Sequence, residues 1–160
     1  VYDTALKFSP DNIDLLFSRG MMAERIGRID ILEEDINAVL KIQPNNAHAL
    51  NALGFTLADQ TDRYEEAYVL LKRAVELLPD NAAILDSYGW VNYRMGNYDI
   101  AIRFLQSALS KYYDNEIAAH LGEVLWVSGN KEAAKRIWQE ALKKVPNDPR
   151  IQEVIQRLTQ

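Results

Sequence analysis

Residues 79–113 read PDNAAILDSYGWVNYRMGNYDIAIRFLQSALSKYY, and this stretch decides the fold. Asp80-Asn81 follows a proline and can cap a helix start. Leu85, Tyr88, Val91 and Met95 recur at helical spacing. Gly96-Asn97 breaks the helix. Ile100, Ala101, Phe104, Leu105, Ala108 and Leu109 then form a second apolar stripe. Gly89 lies inside the first helix, where glycine costs roughly 1 kcal/mol against alanine. Close approach of a neighbouring helix is the expected compensation, and Ala101 and Ala108, two turns apart on one face, would permit it.

The same layout recurs on both sides. Gly20, Gly54, Gly89 and Gly122 are 34, 35 and 33 residues apart. Seven residues after each comes a turn position: Gly27, Thr61, Gly96 and Gly129. Further on come Leu32, Ala67, Ala101 and Ala134, then Val39, Ala74, Ala108 and Ala141. Pro44, Pro79, Tyr113 and Pro146 close the units. A period of roughly 34 with these slots resembles the tetratricopeptide-repeat family over almost the whole chain. Leu32, Ala118 and Tyr113 depart from that pattern, and the turn at 59–63 gains one residue.

The expected fold is therefore all-α: a single domain over 1–160, built as a right-handed superhelical solenoid of antiparallel helix pairs. Full repeats are expected at 11–44, 45–79, 80–113 and 114–146, with a capping helix at 149–160. Residues 1–10 read as the second half of a repeat, since Tyr2, Ala5, Leu6 and Phe8 carry a second-helix stripe. A repeat cannot bury its apolar face alone, so the chain is expected to start within a longer array, a frayed natural terminus being the alternative. In the closing helix Ile151, Val154, Ile155 and Leu158 form one stripe, with Gln152, Glu153, Gln156, Arg157 and Gln160 facing away.

Composition narrows the function. The 160 residues are 48% hydrophobic, with a formal net charge of −5. That charge argues against nucleic acid, whose phosphates need clustered Lys and Arg. No apolar run approaches 18 residues, so no membrane span is expected in this fragment. Cysteine is absent, which removes disulfides and thiolate chemistry. No phosphate-binding loop or nucleophile elbow is present, so neither an enzyme nor a cofactor is expected. The two histidines, His48 and His120, lie far apart in sequence, and no metal site is expected. The acidic run Glu33-Glu34-Asp35 reads as a solvated face near a helix start.

The family resemblance implies that first helices of successive repeats line a concave groove that holds a peptide or protein partner. Helix-face geometry then points inward Phe17, Met21, Glu24 and Arg25; Asn51, Phe55, Ala58 and Asp59; Asp86, Trp90, Tyr93 and Arg94; and Ala119, Glu123, Trp126 and Val127. Phe17, Met21, Phe55, Trp90, Tyr93 and Trp126 would form an aromatic and apolar floor, flanked by Asn51, Asp86, Arg94 and Glu123. Trp90 and Phe55 are expected to be exposed. For Tyr93 and Trp126, groove lining and packing between repeats both stand. The lining lacks the Lys/Asn pattern of chaperone-binding members, so no carboxylate clamp is expected.

Three phrases go further: NALGFTLAD at 51–59, DSYGWVNYR at 86–94 and AAHLGEVLW at 118–126. They resemble the C-terminal repeats of proteobacterial outer-membrane tetratricopeptide lipoproteins, a group that includes adaptors for a carboxyl-terminal-processing protease of the periplasm. The resemblance implies a protein-binding adaptor in the bacterial periplasm, anchored to the outer membrane through a region outside these residues; the alternative is cytoplasmic. A structural alternative is self-association through the N-terminal edge at 1–8.

Overall fold

The computed structural model describes residues 1–159. Gln160, the last residue of the expected capping helix, lies outside them. The described residues form ten helices and no strand. They are α1 (Tyr2–Phe8), α2 (Ile13–Arg25), α3 (Ile29–Ile42), α4 (Ala47–Gln60), α5 (Tyr64–Leu77), α6 (Ala82–Arg94), α7 (Tyr98–Lys111), α8 (Asn115–Val127), α9 (Lys131–Lys144) and α10 (Pro149–Thr159). The chain divides into two compact units, Val1–Leu78 and Pro79–Gln160.

Each first helix has a side-chain cap at its start. Asn12, Asn46 and Asn81 accept from the backbone N–H of Leu15, Ala49 and Ile84, and Asp114 accepts from Glu116. These bonds satisfy donors that a helix leaves unpaired at its N-terminus. The second helices α3, α5, α7 and α9 begin without such a bond, because a tight turn feeds them directly. Gly27, Gly96 and Gly129 sit at φ of 73°, 81° and 94°. At each, the glycine N–H and the next N–H return to carbonyls of the preceding turn, as in Gly96 to Tyr93 and Asn97 to Asn92. This is the Schellman arrangement, and its left-handed position favours glycine. The fourth turn is built otherwise: the Thr61 hydroxyl donates to the Leu57 carbonyl at 2.5 Å and accepts from Arg63 N–H.

Inside each pair the helices meet at the interior glycine. A Cβ on Gly54 would lie 2.6 Å from Leu71 Cγ, and on Gly89 2.8 Å from Leu105 Cγ and 3.2 Å from the Ala101 carbonyl. The expected compensation for Gly89 is thus present. The tightest case is Gly122, where a Cβ would fall 2.0 Å from Trp138 Nε1. The loosest is Gly20, with 3.4 Å to the nearest side-chain atom. That pair is also the one carrying Leu32, fully buried, in the slot where the others carry alanine.

The core of the second unit runs from Ala101 and Leu105 through Leu121, Val124 and Trp138 to Ile151 and Val154. Asp148 starts α10, accepting from Arg150 N–H at 3.0 Å and from the Asn115 amide at 3.1 Å. The Arg150 guanidinium, which donates to Asp148 at 3.0 Å, holds that carboxyl well below the usual carboxylate range.

The acidic run at 33–35 differs from expectation. Glu34 is exposed, but Asp35 is buried and grips Arg19 of α2 with bonds of 2.6 and 2.8 Å, and Glu33 accepts from Arg63. Arg19 also reaches Asp3 of α1 at 2.7 Å, so one guanidinium ties three helices. The Asp35 bond raises the Arg19 pKa above its ordinary value.

Two alanine substitutions separate these cases. Gly122→Ala is expected to destabilise by about 1–3 kcal/mol, because Trp138 must move. Gly20→Ala is expected to be neutral or to gain up to about 1 kcal/mol from helix propensity. Urea denaturation followed by circular dichroism measures both.

Candidate functional site

The first helices carry the expected lining, and each unit presents its own face. In the first unit Phe17 and Met21 on α2, and Asn51 and Phe55 on α4, are half-buried. The Asn51 side-chain carbonyl is buried with no hydrogen-bond partner among the described residues. Glu24 accepts from Gln60 at 2.7 Å, while Arg25 and Asp59 are exposed. Ala58 is fully buried, so it offers no surface. Three apolar side chains therefore stand partly open on α2 and α4.

The second unit departs further from expectation. Trp90, expected at the surface, is only 6% exposed. Its ring stacks on His120 of α8 at 4.2 Å and 27°, and lies 5.0 Å from Tyr93. His120 is one repeat period from Asp86 and bonds it through Nδ1 at 2.9 and 3.1 Å. The Trp90 indole N–H has no hydrogen-bond partner among the described residues. Asp86 is itself buried, so its carboxylate is spent on His120 and does not line a groove freely. Ala119 is buried too, and Val127 is exposed.

Glu123 is 4% exposed and sits at the centre of a second network. It accepts the Tyr93 hydroxyl at 3.0 Å and two Arg157 bonds at 3.1 and 2.6 Å. The network links α6, α8 and α10. Periodicity puts Arg157 on the polar side of the capping helix, facing away; the structure turns it onto Glu123, because a carboxylate this buried needs a cation. Burial, reinforced by the Glu123 charge and hydrogen bond, pushes the Tyr93 phenol above its ordinary value. Arg94 and Trp126 are half-buried. Trp126 packs against Trp138 at 5.6 Å, with Lys131 Nζ 4.9 Å above its ring. Tyr93 and Trp126 are both partly buried: Tyr93 bonds across to Glu123 of the next repeat, and Trp126 packs on Trp138 within its own.

Sequence reading missed His120, Arg157, Arg19 and Asp35. The signal was present for two of them, since Asp86–His120 and Glu123–Arg157 are each separated by 34 residues, one repeat period. Among the described residues no group of three His, Cys, Asp or Glu could hold a metal ion. No described helix is long and apolar enough to cross a membrane.

Two tetratricopeptide-repeat family models match residues 45–114 and 92–158. A TPR repeat-containing protein of Pseudomonas aeruginosa is 51% identical over 118 residues, covering 74% of this chain and 20% of that relative. The chain therefore spans about a fifth of its length. Among solved structures, a TPR protein of Thermus thermophilus is similar with a TM-score of 0.85 at 23% identity, over 99% of this chain and 88% of that one. The O-GlcNAc transferase of Thermobaculum terrenum is similar with a TM-score of 0.77 at 28% identity, over 82% of this chain and 26% of that one.

The Glu123 network yields two expectations. Arg157→Met leaves a buried carboxylate without its cation and is expected to cost about 2 kcal/mol, Arg157 being half-exposed and so partly screened; adding Glu123→Gln should recover part of the loss in denaturant melts. The second concerns alkaline pH. The folded-state pKa of Tyr93 is raised, so its stabilising contribution is complete below the unfolded value of about 10 and drains away as pH rises beyond it. The Tm of Tyr93→Phe should fall less steeply than that of the wild type between about pH 10 and 11.5.

Proposed function

Because the chain belongs to the tetratricopeptide-repeat family, whose repeats bind protein partners, we propose that it is a non-catalytic scaffold holding a partner polypeptide against its first helices. The observation that carries this reading is the partly open set Phe17, Met21 and Phe55 on α2 and α4. Large apolar and aromatic side chains held half-open on rigid helices are the anchors that interfaces use. In the second unit Tyr93, Arg94 and Trp126 supply the equivalent contacts, on a floor whose charges are already matched by His120 and Arg157.

We extend this reading to an adaptor of the bacterial cell envelope, acting in the periplasm and anchored to the outer membrane through a region outside residues 1–160, that presents substrates to a processing protease. The phrases at 51–59, 86–94 and 118–126 support this extension.

A pull-down from an envelope extract tests it, comparing the wild type with Phe17→Ala/Phe55→Ala. Both side chains are half-exposed, so the variant should keep its circular dichroism spectrum. The expected result is a protease or other envelope protein retained by the wild type and reduced at least tenfold by the variant. Equal capture by both would remove the first-helix face of the first unit as the site. A sedimentation mass that rises with concentration would favour self-assembly instead.

A further inference from the structure

The net charge of −5 is unevenly placed along the chain. The first unit holds thirteen Asp and Glu against eight Lys and Arg, whereas the second holds ten of each. All of the excess negative charge therefore belongs to the unit that carries Phe17, Met21 and Phe55. Most cations of that unit are committed elsewhere. Arg19 is held by Asp3 and Asp35, Arg28 by Asp30, and Arg63 by Glu33 and Glu66. Lys7 stands on α1, Lys41 on α3, and Lys72 and Arg73 on α5. On the first helices α2 and α4 only Arg25 is left to oppose Asp14, Glu24 and Asp59.

These carboxylates adjoin the half-open apolar side chains. Asp14, Phe17, Met21 and Glu24 follow at steps of three, four and three residues, so they form one stripe along α2. Asp14 is exposed, and Glu24 is half-buried. Glu24 accepts from the Gln60 amide at 2.7 Å, which fixes its carboxylate between the ends of α2 and α4 without neutralising it. Glu24 also lies in the last turn of α2, and Asp59 in the last turn of α4, where no basic residue stands. A helix ends on a partial negative charge, so a carboxylate there is locally unfavourable. Helix stability does not account for either residue. Together with the two helix ends they make a negative rim beside Met21 and Phe55.

Resting on the reading that this face holds a partner polypeptide, we propose that the partner is a basic segment. Its bulky apolar side chains cover Phe17, Met21 and Phe55, and a Lys or Arg beyond them meets Glu24 at the negative ends of α2 and α4. Rim charges of this kind select a partner by sign and speed its encounter, while the apolar contacts hold it.

The probe is a fluorescein-labelled 16-residue peptide with a leucine and phenylalanine core flanked by lysines. One comparator carries the same core flanked by glutamates; the other keeps the lysines and replaces the core with serines. Anisotropy titration of residues 1–160 is expected to show the lysine-flanked core binding at least tenfold more tightly than either comparator. Asp14→Asn/Glu24→Gln should weaken that binding at least threefold, and Phe17→Ala/Phe55→Ala at least tenfold, thermal melts establishing that both variants are folded. If both core peptides bind equally and Phe17→Ala/Phe55→Ala loses both, the face remains the site and the basic partner is overturned. If the lysine-flanked core binds Phe17→Ala/Phe55→Ala as tightly as the wild type, the face is not the site and both readings fall. Binding that follows lysine content alone, indifference to Asp14→Asn/Glu24→Gln, or no binding would overturn the proposal. So would a self-dimer in sedimentation that Phe17→Ala/Phe55→Ala dissolves, since a second copy would then fill the face.

Discussion

The structure depends on how closely the two helices of a pair can approach. Three of the four interior glycines leave no room for a Cβ, and the side chains that fill the space, Leu71, Leu105 and Trp138, are buried core residues. Glycine inside a helix is unfavourable in isolation. Here the cost is offset by dispersion and apolar burial along the whole length of the contact. The first pair shows the converse: a Cβ on Gly20 would lie 3.4 Å from its nearest neighbour, so this glycine does not exclude a methyl group.

On this apolar frame sits a polar layer with the periodicity of the repeat. Asp86 meets His120 and Glu123 meets Arg157 at an offset of 34 residues, and Asn115 meets Asp148 at 33. Each pair joins a first helix to the element one repeat later. Such pairs contribute less as net stability than as discrimination: a shifted register would bury one member without the other, and a lone buried charge is severely penalised. The second-unit face thereby acquires fixed hydrogen-bonding groups in place of free charges. That separates it from the first unit, where apolar rings stand half-open.

Helices, turns and pairing were legible in the sequence because they rest on local or strictly periodic signals. Asn81, Gly89 and Gly96 announce in turn a cap, a close approach and a left-handed turn, each through a residue type whose chemistry suits it. The family models covering 45–158 bear out the tetratricopeptide resemblance read from that spacing. Side-chain exposure was not legible in the same way. The helix position of Trp90 said which way it points, but its burial depends on the ring of His120, on the first helix of the next repeat. Asp35 looked like part of a solvated acidic run because Arg19, which draws it inward, lies on another helix. Arg157 sat on the polar side of a clean amphipathic stripe, and only the buried Glu123 gave it a reason to turn. In each case a partner one helix or one repeat away decided the outcome, and local pattern carries no trace of it.

The Glu123 network also imposes an order on vectorial synthesis. Tyr93 and Glu123 leave the ribosome well before Arg157, which comes 34 residues after Glu123. At about 5–20 residues per second that interval is roughly 2–7 s, long compared with helix formation. Throughout it the Glu123 carboxylate lacks Arg157, and a buried carboxylate without its cation is penalised, so hydration is favoured. The Tyr93–Glu123–Arg157 bonds can therefore be completed only after α10 has been made.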